Sequence, residues 1–262
     1  MARKIVITSG KGGVGKTTVC ANLGIALAKS GYRVALIDLD FGLNNLDVTL
    51  CVEKQTVFDL YDVFCGRCRP KQALISNKKF PNLFLLPSDS IKSYSNISGQ
   101  NIKVVIQTIE PSFDFIFIDC PAGIDVGFHR AVSAVNEAFI VTTPNFSSLK
   151  DADKVLSILN GYKLKNIGLI VNRVRGDLIA DNKMMMPQDI GLLLKTELLG
   201  ILPEEDDVFL SNGKELPKNS DSRRAYGILA ENIVAGKRKI FDTTRKYTGF
   251  WGSIRKGLKG NL

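Results

Sequence analysis

Long apolar runs are missing from this sequence. The longest, FIFID from Phe115 and FIVTT from Phe139, are strand-length, far short of the roughly 20 residues a helix needs to cross a bilayer. A transmembrane protein is excluded on that ground. The first residues, MARKIVITSG, pass from two basic side chains straight into a β-like run, without an apolar signal core or a small-residue cleavage site. The expectation is therefore a cytoplasmic chain. Histidine is nearly absent, with His129 alone, and the five cysteines are odd in number, so reduced thiols are expected. Only Cys65 and Cys68 have C-x-x-C spacing, and no second pair or nearby histidine completes a four-ligand metal set. No linker rich in Pro, Ser or Gly divides the body, and there is no internal repeat.

What is present is a core-forming composition with a clear rhythm. Across 262 residues, 45% are hydrophobic, enough for a sizeable interior. Short β-branched runs alternate with helical patterns. KIVITS (4–9) leads into a helix from Lys16 to about Ser30, and RVALIDLD (33–40) is followed by a loop and a helix near Val57. NLFLLPS (82–88) precedes a helix around Asn101 to Ile109, and FDFIFIDCP, EAFIVTTP, NIGLIVNRV and LLGILPEE are four further strands. Parallel neighbours need crossover connections, so this alternation predicts an α/β fold: a mostly parallel twisted sheet with helices on both faces. The strands are almost continuously apolar, as expected when both sheet faces are buried. One domain to residue 236 and a tail over 237–262 are expected.

Between the first strand and the first helix lies GKGGVGKTT, Gly10 to Thr18. It satisfies G-x-x-x-x-G-K-[ST] in the structural context that this phosphate-loop motif requires. Gly10, Gly12, Gly13, Val14 and Gly15 let successive backbone N–H groups turn toward phosphates at a helix N-terminus, whose partial positive charge favours anions. Lys16 should reach the outer phosphates and the Thr17 hydroxyl should ligate Mg²⁺, with Thr18 completing the loop. The implied cofactors are ATP and Mg²⁺. No N-K-x-D guanine signature occurs, which favours ATP over GTP.

Lys11 exceeds what a general phosphate loop needs. With it, the motif resembles the deviant Walker A of the MinD/ParA family of dimerising P-loop ATPases. The resemblance implies that Lys11 reaches across a homodimer to the partner's nucleotide, so that hydrolysis depends on pairing. IDLDFGLNNLD (37–47) is similar to the family's switch I: Asp38 and Asp40 end the second strand, residues two apart share a face, and Asp40 is the candidate to orient the attacking water. FIFIDCPAGID (115–125) is similar to Walker B with switch II, which assigns Asp119 to Mg²⁺, partly through water as for Asp38 and Asp40. The family commonly has serine where Cys120 stands. Asn172, at the end of IGLIVN, matches a position that contacts adenine, and Pro203 in GILPEE matches the segment beside the base. Phosphoryl transfer of this kind uses no histidine base, which leaves His129 a structural role.

The resemblance covers essentially the whole body and is closest to the MinD branch, the ATPases that place the division site. The short stretch before the first strand is expected to leave no room for the N-terminal region of many large plasmid-partition relatives. FSSLKDADKVLSIL (146–159) resembles the helix by which that branch meets its partners, which implies a MinC-like division inhibitor at Asp151 and Asp153 and a MinE-like activator overlapping them. Acids at a helix start are favourable in any case.

The tail carries most of the charge. Between Lys237 and Leu262 eight basic residues face one acid, so that segment supplies +7 of the net +9. On a helix of ~100° per residue, Phe250, Trp251, Ile254 and Leu258 gather on one arc, while Arg255, Lys256 and Lys259 lie outside it. This is the pattern of an amphipathic helix lying on an anionic membrane surface. Its glycines each cost up to ~1 kcal/mol of helix, so one copy is expected to bind weakly and two copies on a dimer to gain ~10² or more in effective concentration. The expected location is the cytoplasmic face of the inner membrane, reversibly and peripherally. The alternative is a ParA-like partition or positioning ATPase bound to DNA, but Trp251 beside Phe250 argues for lipid and against a specific nucleic acid.

Overall fold

The structure is a computed structural model that describes residues 1–41, 45–88, 97–211, 214–248 and 252. In chain order it runs β1 (Arg3–Thr8), α1 (Lys16–Lys29), β2 (Val34–Asp38), α2 (Leu46–Thr49), α3 (Leu60–Phe64), β3 (Ile75–Ser76), β4 (Leu83–Leu86), α4 (Gly99–Ile109), β5 (Phe115–Asp119) and α5 (Val126–Ser133). There follow β6 (Glu137–Thr142), α6 (Phe146–Leu159), β7 (Asn166–Val174), α7 (Gly176–Ala180), α8 (Pro187–Leu193), β8 (Glu197–Pro203), α9 (Asp206–Leu210) and α10 (Asp221–Ala235).

The strands form one sheet in the order β3-β4-β2-β5-β1-β6-β7-β8. All neighbours pair in parallel except β3, a two-residue antiparallel edge against β4. Alternation along β1 shows how both faces are buried. Ile5 and Ile7 point into a core shared with α1 and α10, while Val6 points into the opposite core with α4, α5 and α6. Two apolar layers with no water-facing side explain why the strands read as continuous hydrophobic runs.

The switch between β1 and its two neighbours positions the site. β1 pairs with β5 on one side and β6 on the other, so the loops leaving the carboxyl ends of β1, β2, β5 and β6 open on one edge, where a doubly wound sheet binds its ligand. The helix expected near Val57 begins three residues later. Asp59 accepts from the Asp62 amide as its N-cap, and Asp62 answers through its own carboxylate, a closed capping box. Val57 itself lies before that cap and is 79% exposed.

Beyond α10 the chain does not leave the domain. Gly236 adopts a left-handed conformation as the helix cap, and residues 237–248 return along β8 and α10. Asn232 spans them, its amide donating to the Leu199 and Lys239 carbonyls at 2.8 and 2.7 Å and its oxygen accepting from the Lys239 amide. Tyr247 is buried. The apolar positions proposed to meet lipid, Phe250, Trp251, Ile254 and Leu258, and the basic Arg255, Lys256 and Lys259, lie outside the described residues.

Candidate active site at the carboxyl edge of the sheet

The phosphate loop leaves β1 at Thr8 and enters α1 at Lys16. Gly15 takes up φ 93° to make that turn, and a side chain there would stand 2.5 Å from the amide nitrogen of Asn172. That nitrogen donates to the Val14 carbonyl at 2.8 Å, so β7 braces the loop from beneath. Asn172 is thus brought to the site through the loop backbone. The expectation of an adenine contact is neither helped nor hindered by that bond. Lys16 is buried, whereas Lys11, Gly12 and Gly13 are exposed at the mouth, and Thr17 and Thr18 are half-buried.

Asp119 ends β5 in register with Asp38 of β2 and Ile7 of β1. It is 1% exposed, and neither carboxylate oxygen has a hydrogen-bond partner of normal geometry. A buried, unpartnered carboxylate is costly in its charged form. Burial pushes it up to about 7, while the nearby Thr17 hydroxyl and Lys16 ammonium pull it back. This is a place that fits a divalent cation: hard oxygen donors from a carboxylate and a hydroxyl, with the remaining positions left to water and phosphate, as Mg²⁺ usually prefers. Among the described residues no group of three or more His, Cys, Asp or Glu side chains converges, so this is no all-protein metal cage.

Asp38 and Asp40 differ from the pattern read in the sequence. β2 stops at Asp38, so Asp40 belongs to the loop and does not share a strand face with it. Asp38 is buried and uses its oxygens on the backbone, accepting from the Asp40 amide at 3.0 Å and the Leu46 amide at 3.3 Å. Burial and then the Asp119 charge raise its pKa well above the ordinary range, against the pull of those two amides. Asp38 therefore fixes the start of switch I, and Asp40 is carried out to half-burial within the influence of Lys16 and Asp125. Burial raises its carboxyl, Lys16 lowers it and Asp125 raises it again. Switch II touches the loop directly, since the Gly123 amide donates to the Ser9 carbonyl at 3.1 Å. Cys120 is fully buried and its thiol is pushed up by burial, which makes it an inert neighbour.

A cavity of about 320 Å³ opens beside the loop, lined by Lys11, Val14, Asn145, Arg173, Met184 and Glu204 among others. Pro203, buried, pairs with Val174, and the Glu204 amide donates to the Val174 carbonyl. Arg173 was not anticipated: it sits at φ 56° on a bulge between Val171 and Val174, a conformation that turns a non-glycine side chain out of the sheet. No motif signals it. The larger hollow of about 700 Å³ lies between residues 63–72 and α4 and holds none of the phosphate-loop or switch residues.

The first turns of α6 press on the loop. A side chain at Gly10 would meet the Asp151 carbonyl at 2.2 Å, and Lys11 Nζ donates to Ser147 Oγ at 2.8 Å. Asn145 caps α6 by accepting from the Ser148 amide. Asp151 is half-buried and lies 3.7 Å from Lys154, Asp153 is exposed, and Phe146 stands 83% exposed at the helix start. His129 is bonded to Tyr162 and packed beside Phe128, in keeping with a structural role.

Comparison with known proteins agrees with this geometry. The CobQ/CobB/MinD/ParA nucleotide binding domain matches residues 5–217. The septum site-determining protein MinD of Synechocystis sp. is 44% identical over 235 residues, 89% of this chain and 88% of that protein. A chain of the MinC:MinD cell division protein complex of Aquifex aeolicus superposes with a TM-score of 0.83 at 40% identity, covering 89% of this chain and 96% of that one. MinD of Pyrococcus horikoshii, solved with Mg-ADP, gives 0.80 at 31% identity over 91% and 99% of the two chains.

Proposed function

This chain belongs to the CobQ/CobB/MinD/ParA family of nucleotide-binding proteins, and we propose that it is a division-site ATPase which pairs on ATP, holds to a membrane by its tail and recruits a MinC-like inhibitor there. The observation that carries the reading is the meeting of three things at one sheet edge: a braced phosphate loop, an orphaned Asp119 carboxylate and the additional Lys11 standing exposed at the mouth. The Mg-ADP bound to the Pyrococcus relative and the MinC bound to the Aquifex relative are in accord with it.

In this reading the loop amides and Lys16 bind the phosphates, and Thr17 and Asp119 hold Mg²⁺, which when bound offsets charge on the phosphate oxygens. Asp40 orients the attacking water. Lys11 serves the partner's nucleotide, which makes turnover depend on pairing. Asn172 and Pro203 flank the base. Asp151 and Asp153 meet the inhibitor and a MinE-like activator. Phe250, Trp251, Ile254 and Leu258 enter the lipid surface while Arg255, Lys256 and Lys259 face its anionic headgroups, each apolar residue contributing roughly 1–2 kcal/mol. No described helix is long and apolar enough to cross a membrane.

The test is sedimentation with anionic vesicles, using ATP or ADP, for the intact chain and for one ending at Gly249. Pelleting of the intact chain with ATP alone is expected. Equal pelleting of all four samples defeats the reading, and a DNA mobility shift that survives truncation favours a ParA-like activity instead.

A further inference from the structure

The basic stretch 237–248 has the composition of a solvated linker, yet four of its cations are already paired. Lys237 and Lys239 pair with Glu231, Arg238 pairs with Glu197, and Lys246 pairs with both Asp221 at 2.7 Å and Glu205 at 3.3 Å. Between these ion pairs the segment packs as a strap. Ile240 and Phe241 lie against the two cores on either side of the sheet. Thr243 is buried, and its carbonyl occupies the space that a side chain on Gly176 would need, 1.9 Å from a Cβ built there. Only glycine at 176 admits the strap.

Glu205 connects this strap to the nucleotide edge. It stands two residues beyond Pro203, next to Glu204 of the cavity wall. One of its oxygens accepts from the Ser222 amide at 2.7 Å and the Ser220 hydroxyl at 3.1 Å, which ties it to the first turn of α10, and the other accepts from Lys246. Burial acts to raise the Glu205 carboxyl, and those donors together with Lys246 hold it below the usual range. The chain Pro203–Glu205–Lys246–Tyr247 therefore runs unbroken from the base-side wall to the last packed residues before the tail.

We propose that Lys246 is a positioning residue: its bridge to Glu205 and Asp221 latches the root of the C-terminal anchor to the wall of the nucleotide crevice. It rests on the membrane reading above. A root held against each protomer keeps two anchors at a set separation when the protein pairs, so the second anchor meets lipid at high effective concentration. A freed strap adds about twelve residues of slack on each side, and effective concentration falls as the tether lengthens. The latch thus makes attachment depend sharply on pairing.

The experiment uses the full chain in four forms: wild type, Lys246→Gln, Lys246→Arg and Asp221→Asn. Limited trypsin digestion without lipid reads release of the strap as cleavage after Lys239 and Arg245. Sedimentation with vesicles of phosphatidylcholine and phosphatidylglycerol, with ATP or ADP, reads attachment. K246Q and D221N should be cut several-fold faster in the strap and should lose about threefold to tenfold of ATP-dependent pelleting, with lipid-free ATP hydrolysis unchanged and K246R near wild type. D221N removes a negative charge, so a plain charge effect raises its pelleting and the latch lowers it. Three results overturn the proposal: straps no more accessible in the variants, released straps with wild-type pelleting, or D221N pelleting more than wild type. A wild type that pellets with neither nucleotide instead removes the membrane reading, and the latch's purpose with it.

Discussion

Lys11 Nζ donates to Ser147 Oγ at 2.8 Å within a single chain. The lysine assigned to a partner's nucleotide is thus held on the first turn of α6, the helix assigned to the inhibitor. To serve in pairing it must exchange that hydroxyl for phosphate oxygen, a stronger, charge-assisted contact. Pairing and α6 are therefore expected to change together.

Lys11→Ala is expected to bind ATP within about threefold of wild type, because Lys16 and the loop amides remain, but to stay monomeric and lose activated hydrolysis by roughly 10²-fold, the scale of one charge-stabilising group in a transition state. Light scattering after size exclusion, beside a nucleotide titration, separates the two effects. Dimers of the variant at wild-type yield sink the role in trans.

Asp119 predicts a pH dependence of the nucleotide-free protein. Its folded value of about 7 lies above the unfolded value of 3.8, so the folded state binds the proton more tightly. The stability this supplies is fully present below about pH 4 and is lost as pH rises through about 7. Mg²⁺ and the proton compete for the same oxygens, so Mg-nucleotide should bind more tightly at pH 8 than at pH 6. Asp119→Asn is expected to stabilise the nucleotide-free form at pH 8 by a few kcal/mol, flatten its pH profile and abolish Mg²⁺-dependent binding. Thermal unfolding from pH 5 to 8, with and without Mg-ADP, checks all three. An unchanged profile in D119N contradicts the assignment.

Gly15→Ala should fail at the phosphates. A Cβ at φ 93° and 2.5 Å from the Asn172 amide must push that amide off the Val14 carbonyl. Left-handed strain alone costs about 1–2 kcal/mol. A fall in melting temperature of several degrees together with loss of ATP binding is expected, whereas Asn172→Ala, which loosens the loop without reshaping it, should weaken binding more mildly. Wild-type ATP affinity in G15A would show that the brace is dispensable.

Phe146 and Asp153 stand exposed on the first two turns of α6, and exposed aromatics that become buried dominate interfaces. Phe146→Ala is expected to weaken capture of a MinC-like inhibitor by about tenfold, and Asp153→Asn by less, as suits a rim charge. Neither should move the melting temperature. Surface-immobilised protein with ATP and the purified inhibitor gives the measurement.

Contiguity decides what the sequence reveals. The phosphate loop is legible because nine consecutive residues supply the amides, the lysine and the hydroxyl, and Asp119 is legible because a buried strand must end somewhere and an acid at that end is unusual. The parallel sheet follows from apolar runs spaced by crossovers. Asp40 was misplaced on a strand because the point where β2 stops depends on the Asp38 carboxylate turning to cap Leu46, a tertiary choice that leaves no trace in periodicity. Arg173 escapes because a bulge shows only in pairing with β8. The strap escapes for an electrostatic reason: five cations and one acid over 237–248 read as solvated, and Glu197, Glu205, Asp221 and Glu231, the partners of four of those cations, lie up to 41 residues away along the chain.

The close seat of Thr243 on Gly176 has a practical side. A reporter domain spliced between residues 236 and 237 would have to tear this segment from its berth, and any altered cellular distribution would record the damage instead of native behaviour. A label on the exposed Cys65, away from the crevice, leaves the berth intact.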